Sequence, residues 1–510
     1  MHRPPSRLSL STTDSRPSVD RCPGALVLHE AADGGLARIR LPGGLVDGEV
    51  LAALAALAES FGGHGAVELT SRGNVQLRGV RRERRGELAE QVARLGLLPS
   101  ATHERVRNIV ASPRAGLVAT PGGSPASAGT SASAGMASAE TPVFGGVAVD
   151  EPGLDELVRA LDRSLCADAE LAGLSGRFLF GLDDGTGDIA ALSPDAWAAH
   201  VGPGRWWVAP AGVEVGGAAV IEELLAAARA FLRAAGDLTS GDPSAGGRSV
   251  WRVRDLPDHG AGLAAALRYG RPAVQAPDAD PNARPVGVWR RPDGGLAGAV
   301  QVPLGRLTRQ AAELLASATA DVGARAALAG VPAVAGGLRP NHNGDGPRRQ
   351  PLRVTPWRGV VVPSLADPAE FAARAQRAGL VTDPDSLWAR VTACAGRPGC
   401  ANALADVRAD AHRAVAAGSV IPVADVVQVG SVVPVVDVVP VIDTVPVIDT
   451  VPVIDATRLA RAARPGVRAH WSGCGRRCGR PGGPHVEVVA GPAGYLVRDA
   501  GADPKESPGW

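Results

Sequence analysis

Lysine is almost missing from this chain of 510 residues: Lys505 is the only one, so nearly all positive charge is arginine. Phe, Trp and Tyr together make up only 3%, and six cysteines are too few for a disulfide scaffold in a chain this long. A net charge of +1 leaves no global field to draw nucleic acid or a membrane surface. The opening MHRPPSRLSLSTTDSRPSVDRC is polar and proline-interrupted, without the apolar run that a secretory h-region or a membrane span needs. These absences predict a cytoplasmic protein with neither nucleic acid nor membrane as partner. What is present is Ala, Gly, Pro and Arg in the proportions of a GC-rich coding sequence, so arginines carry meaning only inside motifs. A hydrophobic content of 45% is enough for several cores, and two to four domains are expected.

Four of the six cysteines form two close pairs. Cys394 and Cys400 bracket CAGRPGC, a C-x5-C, while Cys474 and Cys478 bracket CGRRC, a C-x3-C; Cys22 and Cys166 stand alone. Four thiolates suit tetrahedral zinc or an iron-sulfur cluster, and ligand type alone does not choose between them. The C-x5-C loop, with Gly396, Pro398 and Gly399 inside it, is wider than the C-x2-C to C-x4-C knuckles of structural zinc and favours the bulkier cluster. A helix expected over 401–417 would place Cys400 at its N-terminus, where free N–H groups favour thiolate charge.

The sequence also repeats itself. GLARIRLPGG reads as a strand, DGEVLAALAALAESFG as a helix with Asp47 as N-cap, AVELTS and VQLRGV as two strands about an Arg-Gly-Asn turn, and RRGELAEQVARLG as a second helix. Downstream, VGVWRRPDGGLAGAVQVP, LTRQAAELLASATA, PLRVTPWRGVVVP and DPAEFAARAQRAG repeat this β-α-β-β-α order. Neither half alone covers its sheet, so the two are expected to join into one larger, pseudo-twofold α+β sheet architecture with a cleft.

The duplicated unit and the cysteine pattern together resemble the nitrite and sulfite reductase superfamily. The resemblance rests on LTSRGNVQLRGV (69–80), RNIVASPRAG (107–116), LSGRFLFGLDDG (174–185) and the C-x5-C with HWSGCGRRCGRP (470–481). It implies duplicated ferredoxin-like half domains with central and C-terminal cluster-binding α/β regions. The boundaries expected on this basis are 1–100 for the first half domain, 101–275 for the central domain, 276–382 for the second half domain and 383–510 for the cluster domain. It further implies a 4Fe-4S cluster on Cys394, Cys400, Cys474 and Cys478.

Within the superfamily the chain is most similar to the precorrin-3B synthase branch. Sulfite reductases resemble one another in a basic LPRKFK segment, whereas LSGRFLF here retains Arg177 and has Leu179 in the other basic place. The resemblance implies an oxidoreductase of the monooxygenase kind that hydroxylates precorrin-3A with O2 and forms a lactone in cobalamin biosynthesis. Electrons would come from an NAD(P)H-linked reductase or ferredoxin through the 4Fe-4S cluster, and a mononuclear non-haem iron would complete the cofactors. The propionate and acetate arms of such a tetrapyrrole call for bidentate guanidinium readers. Arg72, Arg78, Arg107 and Arg177 are the candidates, with Asn74 and Asn108 adding neutral hydrogen bonds. Ligands for the mononuclear iron and catalytic residues stay unassigned; His342, His470 and His485 are the histidines nearest to motifs. Two alternatives stand beside this reading: a sirohaem-dependent ferredoxin nitrite or sulfite reductase, and a non-catalytic cluster or zinc-binding protein.

Two segments read as insertions. Residues 118–147 are small and polar, and 432–455 repeat a VPVIDT-like hexamer whose prolines argue for an extended loop over a central strand.

Overall fold

A computed structural model describes residues 20, 22–62, 65–118, 153–239, 250–280, 284–328, 350–422, 467–481, 484–492 and 494–500. The hexamer repeat, His342 and all of the polar insertion except residue 118 lie outside the described residues.

The first half runs β1 (His29–Ala31), β2 (Gly34–Ile39), β3 (Leu45–Val46), α1 (Gly48–Phe61), β4 (Ala66–Leu69), β5 (Val75–Val80) and α2 (Arg85–Arg94). The central region follows with β6 (Ile109–Ala111), α3 (Leu154–Ala167), β7 (Phe180–Asp183), β8 (Ala196–Gly202), β9 (Arg205–Ala209), β10 (Val213–Gly216), α4 (Val220–Thr239) and α5 (Ala261–Arg268). The second half is β11 (Gly287–Arg290), β12 (Leu296–Gln301), β13 (Arg306–Thr308), α6 (Arg309–Leu328), β14 (Leu352–Val354), β15 (Gly359–Leu365) and α7 (Pro368–Arg377). The C-terminal region is β16 (Val391–Ala393), α8 (Val407–Ala416), β17 (Ala469–Ser472), β18 (His485–Gly491) and β19 (Gly494–Ala500).

In the two half domains the helices form where the periodicities predict them. In α1, Leu51, Leu54, Ala55, Ala58 and Phe61 fall on one face and are buried. Asp47 occupies its N-cap position but makes no capping hydrogen bond through its side chain.

The two halves do not merge into one sheet, as the sequence suggested. They form two five-stranded sheets, β1-β2-β5-β4-β13 and β11-β12-β15-β14-β3, that trade edge strands: β13 of the second half closes the first sheet and β3 of the first closes the second. The exchange covers one edge of each sheet with hydrogen-bonded chain, the problem that the expected merger would have solved. One core of buried side chains runs through both halves, from Ile39, Leu51 and Leu77 to Val300, Leu315 and Val362. Helices α1 and α6 touch at Gly48, where an added Cβ would stand 2.7 Å from the Ala316 Cα, so only glycine permits that approach.

The central and C-terminal regions are α/β units, each with its own core. In the first, β6, β7 and β8 are parallel and β9 antiparallel; in the second, β16, β17 and β18 are parallel and β19 antiparallel. The duplication therefore extends beyond the half domains. No described helix is long and apolar enough to cross a membrane.

Candidate metal and tetrapyrrole site

The two cysteine pairs lie in the loops that leave adjacent parallel strands, β16 and β17. Cys394 follows β16 directly, its N–H donating to Trp471 O at 2.9 Å and its Sγ accepting from the Gly473 N–H at 3.1 Å. The Leu404 N–H donates to Gly473 O at 2.7 Å and so fastens the first loop to the second. The Ala403 N–H turns back to Cys400 O at 3.1 Å and the Arg397 N–H donates to Ala405 O at 2.9 Å, so the expected helix begins only at Val407, where the Asp406 carboxylate caps the Ala409 N–H at 3.1 Å. Cys400 accordingly stands in a turn, not at a helix N-terminus.

Burial raises the Cys478 thiol above its ordinary pKa, and Cys394, Cys474 and Cys400 push it further in the same direction. All four sulfurs thus share one local field. Among the described residues no three cysteine sulfurs lie within 4.8 Å of one another. One tetrahedral zinc with bonds of about 2.3 Å would hold its thiolates roughly 3.8 Å apart. A cubane cluster attaches each cysteine to a different iron, and four thiolates from the loops after two adjacent strands are a donor set that would suit it.

The second cysteine loop is anchored from below. Glu487 on β18 is fully buried and meets Arg498 at 2.8 Å, Arg477 at 3.1 Å and Arg480 at 3.3 Å. Burial alone would raise its pKa, but the Arg498 hydrogen bond and the Arg477 charge hold it below the usual carboxylate range. His470, on β17, places Nε2 3.1 Å from Cys478 O and Nδ1 2.9 Å from Thr392 Oγ1. Because a carbonyl only accepts, Nε2 carries the proton. Burial, then the Arg358 charge, lowers its pKa to about 3, so the ring is neutral with both nitrogens engaged.

The expected tetrapyrrole readers are distributed as follows. Arg72 reaches across to the central unit and donates to Gly176 O at 3.2 Å and Arg177 O at 2.9 Å. Asn74 accepts from the Leu41 N–H at 2.9 Å and donates to Asn108 Oδ1 at 3.2 Å, while Asn108 donates to Gly176 O at 2.9 Å. Arg107 forms a two-pronged pair with Asp162, both contacts at 2.7 Å. Arg177 lies over the Trp251 ring at 5.5 Å. Arg78 pairs with Asp33 at 2.9 Å and donates to Gly399 O, tying the first cysteine loop to the first half domain. Beside that loop opens a cavity of about 360 Å³ whose lining includes Arg78, Arg306, Arg397, Arg408, Asp406 and His412.

Two arginines that no motif marked, Arg40 and Arg358, stand out beside Arg72. Arg40 is 2% exposed, donates only to backbone carbonyls and the Cys22 sulfur, and leaves Nη1 without a partner. Burial, then the charge of Arg38, lowers its pKa to about 9. Arg72 is lowered to about 10 by burial and Arg252, and Arg358 to about 10 by burial and Arg408. Guanidinium groups crowded by other cations, with no carboxylate in ion-pair range among the described residues, form a field that a polyanion would relieve. Arg40 sits in the plain strand IRLPGG, and no local pattern marks it.

Three comparisons bear on ancestry. Residues 29–95 match the family described as nitrite/sulfite reductase ferredoxin-like half domain. Over 83 residues the chain is 37% identical to a ferredoxin–nitrite reductase of Synechococcus elongatus, an alignment that spans 16% of this chain and 16% of that protein. The Mycobacterium tuberculosis NirA protein superposes with a TM-score of 0.57 at 18% identity, covering 91% of this chain and 73% of that one. At that identity the superposition shows shared fold, and it extends the α+β architecture well beyond the half domain.

Proposed function

We propose that this chain is an oxidoreductase that holds a 4Fe-4S cluster on Cys394, Cys400, Cys474 and Cys478 and works on or through a tetrapyrrole lodged against its buried arginines. The observation that carries this reading is the meeting of two cysteine loops at the ends of adjacent parallel strands, joined by the Gly473 N–H to Cys394 Sγ contact. Such a cluster, when bound, supplies electrons one at a time. The protein's own part is to anchor the loops through Glu487 and Arg78, and to meet a polycarboxylate with guanidinium groups.

Between the two activities open to this arrangement, sirohaem-dependent reduction of nitrite or sulfite, with ferredoxin as donor, has the stronger support, because the named relative is a nitrite reductase. The second reading, O2-dependent hydroxylation and lactone formation on precorrin-3A, rests on Leu179. Its side chain is 4% exposed and packs with Val110 and Ile189. An anion that accepts electrons and protons needs several cationic donors, and this position supplies none. A visible spectrum of the anaerobically purified protein separates the readings. Stoichiometric sirohaem bands with nitrite or sulfite turnover would establish the reductase. Cluster absorbance without sirohaem, together with O2-dependent consumption of precorrin-3A, would establish the synthase.

A further inference from the structure

The central unit repeats the cluster unit residue for residue at one point. Ile109 pairs with Phe180 as Val391 pairs with Ala469, which makes Ser112 the counterpart of Cys394. The Ser112 N–H donates to Leu182 O at 3.0 Å, as the Cys394 N–H donates to Trp471 O at 2.9 Å. Ser112 Oγ accepts from the Asp184 N–H at 3.0 Å, as Cys394 Sγ accepts from the Gly473 N–H at 3.1 Å. The position that presents sulfur in one unit presents oxygen in the other.

The end of β7 and the loop after it carry Asp183, Asp184 and Asp188, exposed by 0%, 7% and 1%, with one oxygen of each within 4.8 Å of the others. Asp183 is satisfied by four backbone N–H groups: Gly185, Gly187 and Ile189 at 2.9 Å and Ala190 at 3.0 Å. Asp188 accepts the Ser112 hydroxyl at 2.5 Å. Asp184 accepts through Oδ1 from Thr186, but its Oδ2 is sealed from solvent and receives no hydrogen bond. No ion pair reaches any of the three carboxylates among the described residues. A buried carboxylate oxygen with no donor, beside two more carboxylates, calls for positive charge that the chain does not provide.

We propose that Asp184, Asp188 and Asp183, with Ser112 beside them, form a site for one hard divalent cation of the Ca2+, Mg2+ or Mn2+ class. All its donors are oxygens, with neither imidazole nor thiolate, which suits a hard cation over a soft one. Burial, then the charge of Asp183, raises Asp188 to about 8. The arrangement also admits one rival, a proton held on Asp188 in place of a metal.

Mn2+ titration of the full-length protein, followed by electron paramagnetic resonance, separates the two without reference to cluster iron. The expected result is one bound Mn2+ per chain, displaced by Ca2+, together with a melting temperature that rises when Ca2+ is added; both effects disappear in Asp188→Asn. Failure of the wild-type protein to bind Mn2+, or equal binding by Asp188→Asn, overturns the site. Asp184→Asn is the second variant: should Asp188→Asn not fold, loss of Mn2+ binding in Asp184→Asn supports the site and retention overturns it.

Discussion

The two half domains present equivalent turns that have diverged in what they carry. Thr70 and Thr355 open them with the same bonds: Thr70 N–H to Asn74 O at 2.8 Å and Thr355 N–H to Gly359 O at 2.9 Å. At the same step stand Gly73 with φ 66° and Arg358 with φ 62°. The first turn reaches the central unit through Arg72, the second the cluster unit, where a Cβ placed on Gly479 would lie 3.4 Å from an Arg358 Nη. The ion pairs that tie each sheet to the opposite α/β unit are equivalent in place and opposite in sign. Glu68 of β4 meets Arg408 at the start of α8, and Arg353 of β14 meets Asp155 at the start of α3 at 3.1 Å. The backbone scaffold has thus been kept twice while its charges and ligands were reassigned.

The sharpest break of that comparison is at the paired positions Ser112 and Cys394. Cys394→Ser makes the cluster unit resemble the central one and should remove all cluster absorbance and acid-labile sulfide, whereas Cys166→Ser should leave both intact. Next comes Glu487→Gln, which leaves three arginines around a neutral amide. We expect a loss of about 3 kcal/mol in chemical denaturation, the scale of a broken buried pair. The Glu68–Arg408 pair adds a pH signature. Burial would raise the Glu68 pKa, but Arg408 brings it down to about 2. Since the folded value lies below the ordinary one of about 4.3, the pair's stabilisation is present above that pH and disappears as pH falls towards 2. Glu68→Gln should therefore flatten the acid limb of a stability–pH curve. The smallest effect is expected at the turns. Arg358→Gly should change stability by less than about 1 kcal/mol, because glycine accepts the positive φ, whereas Gly73→Ala should cost about 1–2 kcal/mol. Its added Cβ would stand 2.9 Å from Val354 O.

Most of this duplication was legible in the sequence, because hydrophobic periodicity and the Arg-Gly-Asn turn report local backbone, and the β-α-β-β-α order matches the elements found. The cysteine spacing pointed to two loops, which the fold sets at the ends of adjacent strands. The strand exchange was not legible, since β3 and β13 are two and three residues long and carry no pattern of their own. The start of α8 was misplaced because 401–405 is held by loop bonds, among them Leu404 N–H to Gly473 O, whose acceptor lies some seventy residues away in sequence. Glu68, Arg40 and Arg358 passed unnoticed because each meets residues distant in sequence, whereas the arginines around Glu487 lie within eleven residues of it but form no recognisable pattern.

The central claim is that four cysteines from two loops hold a 4Fe-4S cluster. Iron, zinc and acid-labile sulfide analysis of the anaerobically purified protein tests it directly. About four irons and four sulfides per chain, absent from Cys474→Ser, is the predicted result. Zinc without sulfide, or unchanged iron and sulfide in Cys474→Ser, would contradict it.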